Sequence, residues 1–245
     1  MANYKIELCY DGSKYRGWQH QDNTQNTIQD KLTSVLSKII GEPVELIASG
    51  RTDAGVHANK QVVNFHCQKA IDTDKTIYTL RHQLPRDIGI YSLTEVNDDF
   101  HARYSCLKKT YRYYIWNSND PCVFIRNYRE IICEPLDIES MTQSCKLLIG
   151  THDFSAFTTN KSKNHNNIRQ LYNAAVTREG QNVILEFTAD GFLYNMVRIL
   201  SGTIIEIGQN KRSISSITKA FETKKRSESG YTAPANALFL WNVEY

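Results

Sequence analysis

Val44-Glu45-Leu46-Ile47-Ala48 runs into Ser49-Gly50-Arg51-Thr52-Asp53-Ala54-Gly55-Val56-His57-Ala58, and Gln61-Val62-Val63-Asn64-Phe65-His66-Cys67 runs out again. The first segment reads as a strand and the last as a second strand whose apolar residues alternate, so the middle is a connection between strands. That connection concentrates two glycines, a carboxylate, a guanidinium and an imidazole, which is enough to hold Asp53 at a defined point. An opposite charge within a few ångströms lowers a carboxyl pKa by about 1 to 3 units, so beside Arg51 the Asp53 carboxylate stays ionised. A fixed, ionised aspartate can act as a nucleophile, a base or a metal ligand. A tight turn in which Arg51 and Asp53 form a structural pair is the competing reading.

Outward from this stretch, Tyr4 to Tyr10 alternates as a strand. Thr27 to Gly41 reads as a helix with Ile28, Leu32, Val35, Leu36 and Ile39 on one face, closed by Gly41 and Pro43. A helix around Asp72 to Leu84 and strands at Ile88 to Val96 and Thr110 to Trp116 complete a first α+β half. The second half repeats the ingredients: helices at Asp137 to Ile149, Leu193 to Gly208 and Ile214 to Glu222, and strands at Leu171 to Arg178, Val183 to Ala189 and Ala237 to Glu244. Thr158 to Asn167 carries no apolar residue and reads as a mobile surface loop bearing Lys161, Lys163 and His165.

The 245 residues are 41% hydrophobic and 22% charged with 12 Gly and 5 Pro, which excludes collagen-like and disordered classes. No apolar run approaches the roughly 18 residues of a membrane span. Lys5 and Glu7 interrupt Met1 to Tyr10, so it is no signal-peptide core, and a soluble, cytoplasmic protein without membrane contact is expected. The six cysteines include no C-x-x-C pair, and neither they nor the histidines have metal-ligand spacing, so no metal is expected. A net charge of +3 permits an RNA partner without announcing one.

The run Gly50 to Ala58 resembles the signature of the TruA family of tRNA pseudouridine synthases. The resemblance extends along nearly the whole chain. Tyr10-Asp11-Gly12, Gly17-Trp18-Gln19-His20-Gln21 and Thr27-Ile28-Gln29 come first, then Phe100-His101-Ala102-Arg103-Tyr104 and Lys109-Thr110-Tyr111-Arg112-Tyr113. Gly150-Thr151-His152-Asp153-Phe154-Ser155-Ala156-Phe157, Gly191-Phe192-Leu193-Tyr194-Asn195-Met196-Val197-Arg198 and Thr232-Ala233-Pro234-Ala235 follow. It implies an α+β pseudouridine synthase fold of two similar halves around a mixed, largely antiparallel sheet, with a central RNA-binding cleft. Residues 1–105 would carry the catalytic aspartate loop and 106–245 the uracil-pocket and arginine elements. The implied activity is isomerisation of uridine to pseudouridine at positions 38, 39 and 40 of the tRNA anticodon stem-loop, by a homodimer without metal or organic cofactor. The same reaction at a different tRNA position or on another RNA is the alternative.

Carried over residue by residue, the resemblance makes Asp53 the nucleophile and Arg51 its neighbour in the motif. Tyr111 stacks on the target uracil, Arg198 pairs with Asp53, and Leu238 joins Arg51, Tyr111 and Arg198 in binding substrate. The reaction breaks the C1′–N1 bond and re-forms it at C5, so a carboxylate is needed beside the ribose. It adds to the sugar or the base, or assists deprotonation at C2′; these routes stay open. Stacking on a tyrosine is worth about 1 to 3 kcal/mol per base. The residues themselves allow plainer readings. Tyr111, Tyr113 and Ile115 alternate in a strand, which favours packing for Tyr111. Arg198 is surrounded by Leu193, Met196, Val197, Ile199 and Leu200, so a buried guanidinium seeking a carboxylate reads better than a surface ion pair. His57, His101 and His152 read as packed or backbone-bonded. Lys108, Lys109 and Arg112, with Lys224, Lys225 and Arg226, read as solvated faces or phosphate contacts, some of them the latter. Three positions depart from the family pattern: Ser201 before Gly202, Lys225 within Lys224-Lys225-Arg226-Ser227, and Ala237 before Leu238. They bear on the shape of the uracil pocket. A catalytically silent RNA-binding relative would lack one of Asp53, Tyr111 or Arg198, and a metal-dependent phosphohydrolase would need a second acidic cluster; the sequence fits neither.

Overall fold

A computed structural model describes residues 1–160 and 166–245, so the cations Lys161 and Lys163 and the imidazole of His165 lie outside the described residues. In chain order the elements begin with β1 (Ala2–Tyr10), α1 (Ile28–Ile40), β2 (Ile47–Ala48), β3 (His57–Cys67), α2 (Thr73–Gln83) and β4 (Ile88–Val96). They continue with β5 (Lys108–Asn117), β6 (Glu130–Ile132), α3 (Ile138–Leu148), β7 (Gly150–Asp153), β8 (Ile168–Glu179) and β9 (Asn182–Ala189). The last are α4 (Met196–Gly208), α5 (Ser215–Thr223) and β10 (Leu238–Glu244). The chain forms two compact units, one of Met1–Leu107 with Phe239–Tyr245 and one of Lys108–Leu238. The sequence assigned all of 106–245 to the second half; the final strand packs with the first because its partner is β3, a pairing of distant segments that local patterning does not carry.

In the first unit β1 is central, antiparallel to β3 on one side and to β4 on the other. The far edge of β3 takes β10 in parallel at His57 and Ala58 and β2 antiparallel at Val63 and Asn64. Tyr4, Ile6, Leu8 and Tyr10 bury one face of β1, as a period of two requires, while Lys5 and Glu7 pair on the other at 3.3 Å. Helix α1 starts at the Thr27 cap, whose hydroxyl accepts the Asp30 N–H, and stops at Gly41, which takes the left-handed conformation. Of the expected strand Val44 to Ala48 only Ile47–Ala48 pairs; Val44 and Leu46 are buried without a ladder.

In the second unit β9 lies between β5 and β8, β7 continues antiparallel from β8, and β6 joins β5 in parallel. Helix α4 is buried on every side except at Arg198 and Glu206, the pattern of a helix through a core. It begins at Met196 rather than Leu193 because Asn195 sits at φ 59°, outside the helical region. The strands β6 and β7, three and four residues long, have too little alternation to be seen in advance.

Candidate active site

In the first unit the connection carrying Asp53 is held at each end and in the middle. Buried Gln61 donates from Nε2 to the Gly50 carbonyl (2.9 Å), while its Oε1 accepts the Ser49 hydroxyl (2.6 Å). Thr52 is held twice: its carbonyl accepts the Trp18 N–H (3.0 Å) and its hydroxyl bonds that of Tyr10 (2.8 Å). Trp18 is itself fixed by the start of α1, where the Ile28 and Gln29 N–H groups donate to the Gly17 and Trp18 carbonyls. The Val56 N–H closes the turn onto the Asp53 carbonyl at 3.1 Å. Gly12 and Gly17 allow this backing to approach: a Cβ would lie 2.0 Å from the Val56 oxygen at Gly12 and 2.8 Å from the Thr52 oxygen at Gly17. Buried His57 accepts the Gly12 N–H at Nδ1 (3.1 Å) and stacks on Phe239 with centroids 4.5 Å apart. Against this frame Asp53 is half-buried and Arg51 is exposed. Among the described residues the Arg51 guanidinium makes no ion pair, so the Arg51–Asp53 structural pair is not what this turn contains.

Tyr111, Arg198 and Leu238 belong to the second unit. Tyr111 is buried in β5, and the Phe192 ring meets it edge to face at 5.1 Å. Arg198 is gripped from two sides: Nε donates to the Ala233 carbonyl (2.7 Å) and Nη1 to Asn195 Oδ1 (2.8 Å). The left-handed Asn195 thus both starts the helix and orients its arginine. Leu238 is buried at the start of β10. Ser201, a departure from the pattern, returns its hydroxyl to the Val197 carbonyl and fills only a small volume, and the next residue, Gly202, must be small because a Cβ there would lie 2.1 Å from the Tyr231 oxygen. Ala237 is fully buried.

Several expected phosphate-binding cations already have protein partners. Arg112 pairs with Glu186 at 2.7 Å and Lys224 with Asp153 at 2.7 Å. Arg226 donates to the carbonyls of Ser229 and Gly230, and burial holds its pKa below the usual guanidinium range. Lys108 lies over the Tyr172 ring at 5.0 Å. Lys225 is exposed. His101 Nδ1 accepts the Arg103 and Tyr104 N–H groups, and His152 stacks on Phe221 at 4.4 Å. Among the described residues no three His, Cys, Asp or Glu side chains gather as a metal site, and no helix is long and apolar enough to cross a membrane. Sequence reasoning missed Gln61 and Asn195. A glutamine beside the apolar pair Val62-Val63, and an asparagine three residues before an arginine, were the available signals.

The family model described as tRNA pseudouridine synthase matches residues 9–105 and 144–245. A tRNA pseudouridine synthase A 2 from Bacillus cereus is 41% identical over 245 residues, covering 100% of both chains. The tRNA pseudouridine synthase A of an Exiguobacterium species is 42% identical, over 100% of this chain and 98% of the relative. That of Acetivibrio thermocellus is also 42% identical, with both chains covered in full. The chain belongs to the TruA family of tRNA pseudouridine synthases and has their mixed α+β fold. It is an isomerase that acts on tRNA.

Proposed function

We propose that this enzyme converts uridines 38, 39 and 40 of the tRNA anticodon stem-loop to pseudouridine, with Asp53 as nucleophile, working as a homodimer in the cytoplasm. The observation that carries the reading is the anchoring of the Asp53 turn: backbone and side-chain bonds fix Ser49, Gly50, Thr52 and Val56, on both sides of Asp53. Preorganisation of this kind is what a group attacking a sugar or base carbon needs. Tyr111 would stack on the uracil and offer its hydroxyl for proton transfer, with Phe192 setting the ring's orientation. Arg198 would keep Asp53 ionised, and its two protein hydrogen bonds supply the rigidity for that role. Leu238 would close the apolar side of the uracil site, and exposed Arg51 would meet a phosphate of the anticodon arm. The target uridine must leave its stack before its C1′ can be reached.

The test is Asp53→Asn, which keeps the shape of the side chain and removes its nucleophilicity. Release of tritium from C5-labelled uridine in tRNA should fall to background while tRNA binding persists; near-wild-type turnover would refute the assignment. Mapping pseudouridine in tRNA from a deletion strain against its parent decides the positions, since loss outside 38 to 40 would redirect the substrate reading without touching the chemistry.

A further inference from the structure

Within the second unit, the half-buried carboxylate of Glu130 on β6 accepts two phenols. The Tyr113 hydroxyl donates to Oε2 and the Tyr231 hydroxyl to Oε1, each at 2.7 Å. The Pro234 carbonyl lies 3.1 Å from the same Tyr113 hydroxyl. Burial raises the Glu130 carboxyl above its ordinary range against the pull of the two phenols, and burial also pushes both phenols upward, so they remain donors. Neither the family signature nor the roles assigned above employ this carboxylate.

Its placement gives it a use. Tyr231, bonded to Glu130, precedes Ala233 by two residues, and Pro234, which follows it directly, shares the single Tyr113 hydroxyl hydrogen with Glu130, so both flanks of Ala233 meet the Glu130 cluster. Ala233 is where Arg198 is read: its carbonyl takes Arg198 Nε at 2.7 Å and its N–H donates to the Arg198 carbonyl at 3.2 Å. Of the other grips nearby, Thr203 accepting the Gly230 N–H and Arg226 reaching Ser229 and Gly230 fall before the segment, and the Arg226 bond to the Thr232 hydroxyl (3.2 Å) is the one that reaches into it. We propose that Glu130 is a positioning residue for the isomerisation: through Tyr113 and Tyr231 it fixes the Tyr231–Pro234 segment, and that segment's Ala233 carbonyl sets the Arg198 guanidinium. This rests on the reading of Arg198 as a group acting at the reacting uridine.

The test is a double-mutant cycle in the full-length enzyme under single-turnover conditions. Glu130→Gln leaves one acceptor for two phenols. It should lower the rate roughly tenfold, the scale of a sub-ångström misplacement of a catalytic group, with tRNA affinity little changed. Tyr231→Phe, which keeps the ring and deletes one donor, should move the rate in the same direction and guards against a Glu130 variant that fails to fold. Arg198→Lys removes the Nε donor, so in that background either substitution should cost less than about twofold. An equal cost in both backgrounds, or a loss confined to thermal stability, overturns the positioning role while leaving Arg198 in place. Wild-type turnover by Arg198→Lys itself overturns the reading of Arg198, and the proposal with it.

Discussion

Gly12→Ala is a one-methyl perturbation aimed at the back of the Asp53 turn. A Cβ at Gly12 would lie 2.0 Å from the Val56 carbonyl oxygen, against an ordinary contact that begins near ~3.4 Å, so the two backbones must part by about 1.4 Å. Neither partner is a flexible side chain. The Asp11–Gly12 side is tied by the Asp11 N–H to the Asp87 carbonyl (2.9 Å) and by the Gly12 N–H to His57. The other side is a turn hinged at Gly55 (φ 80°), and the Val56 N–H carries its displacement straight to the Asp53 carbonyl. Yielding there costs about 1 to 3 kcal/mol of stability, as overpacking does, and displaces the carboxylate by an amount that typically lowers a rate about 100-fold. Single-turnover tritium release, thermal unfolding and tRNA binding, measured together, separate these effects. Gly41→Ala is the control: nothing lies within 4 Å of its Cβ, so only the left-handed backbone (φ 82°) is strained, and stability alone should fall, by about 1 kcal/mol. A Gly12→Ala enzyme with wild-type turnover would show that the turn's position does not govern the chemistry.

Arg51→Ala should leave folding within about 0.5 kcal/mol of the parent, since its guanidinium is exposed and makes no ion pair among the described residues. It should also lower the slope of log K against log salt for tRNA by about 0.7 to 0.9; an unchanged slope removes Arg51 from the phosphate contacts. Thr27→Ala deletes the cap that accepts the Asp30 N–H and should destabilise the fold by about 1 kcal/mol in denaturant titration, an intact midpoint being the contrary result. Burial pushes the Cys145 thiol up to about 12, so at pH 8 alkylation followed by peptide mass mapping should label exposed Cys133 and spare Cys145 in the folded protein; equal labelling would contradict its burial.

Elements whose own residues carry a period were legible in the sequence. The strand Ile88–Val96 falls where the pattern put it, and α1, α2 and α3 lie between capping residues that announce them, Thr27, Asp72 and Asp137. Order that depends on distant partners was not legible. Arg112 and Lys224 looked available for phosphate because Glu186 and Asp153 are 74 and 71 residues away, and nothing local records the pairing. At the candidate site the turn's residue types were visible, yet what fixes the turn was not, because its backing comes from Tyr10, Gly12 and Trp18 and from Gln61 on the outgoing strand. For Tyr111 the alternation indicated a packed ring, and the ring is buried in β5.

The parallel pairing of β10 with β3 also sets a schedule. Phe239 and Leu240 align with His57 and Ala58, and Asn59 Nδ2 donates to the Trp241 carbonyl across 182 residues of chain. At a translation rate of about 5 to 20 residues per second, that interval is on the order of ten seconds. Through that interval the Asp53 turn exists without the strand that flanks it and without the ring that His57 rests on. A nascent chain, made in the midst of the tRNAs that decode it, therefore holds its aspartate in an unfinished setting until β10 has left the ribosome and paired with β3.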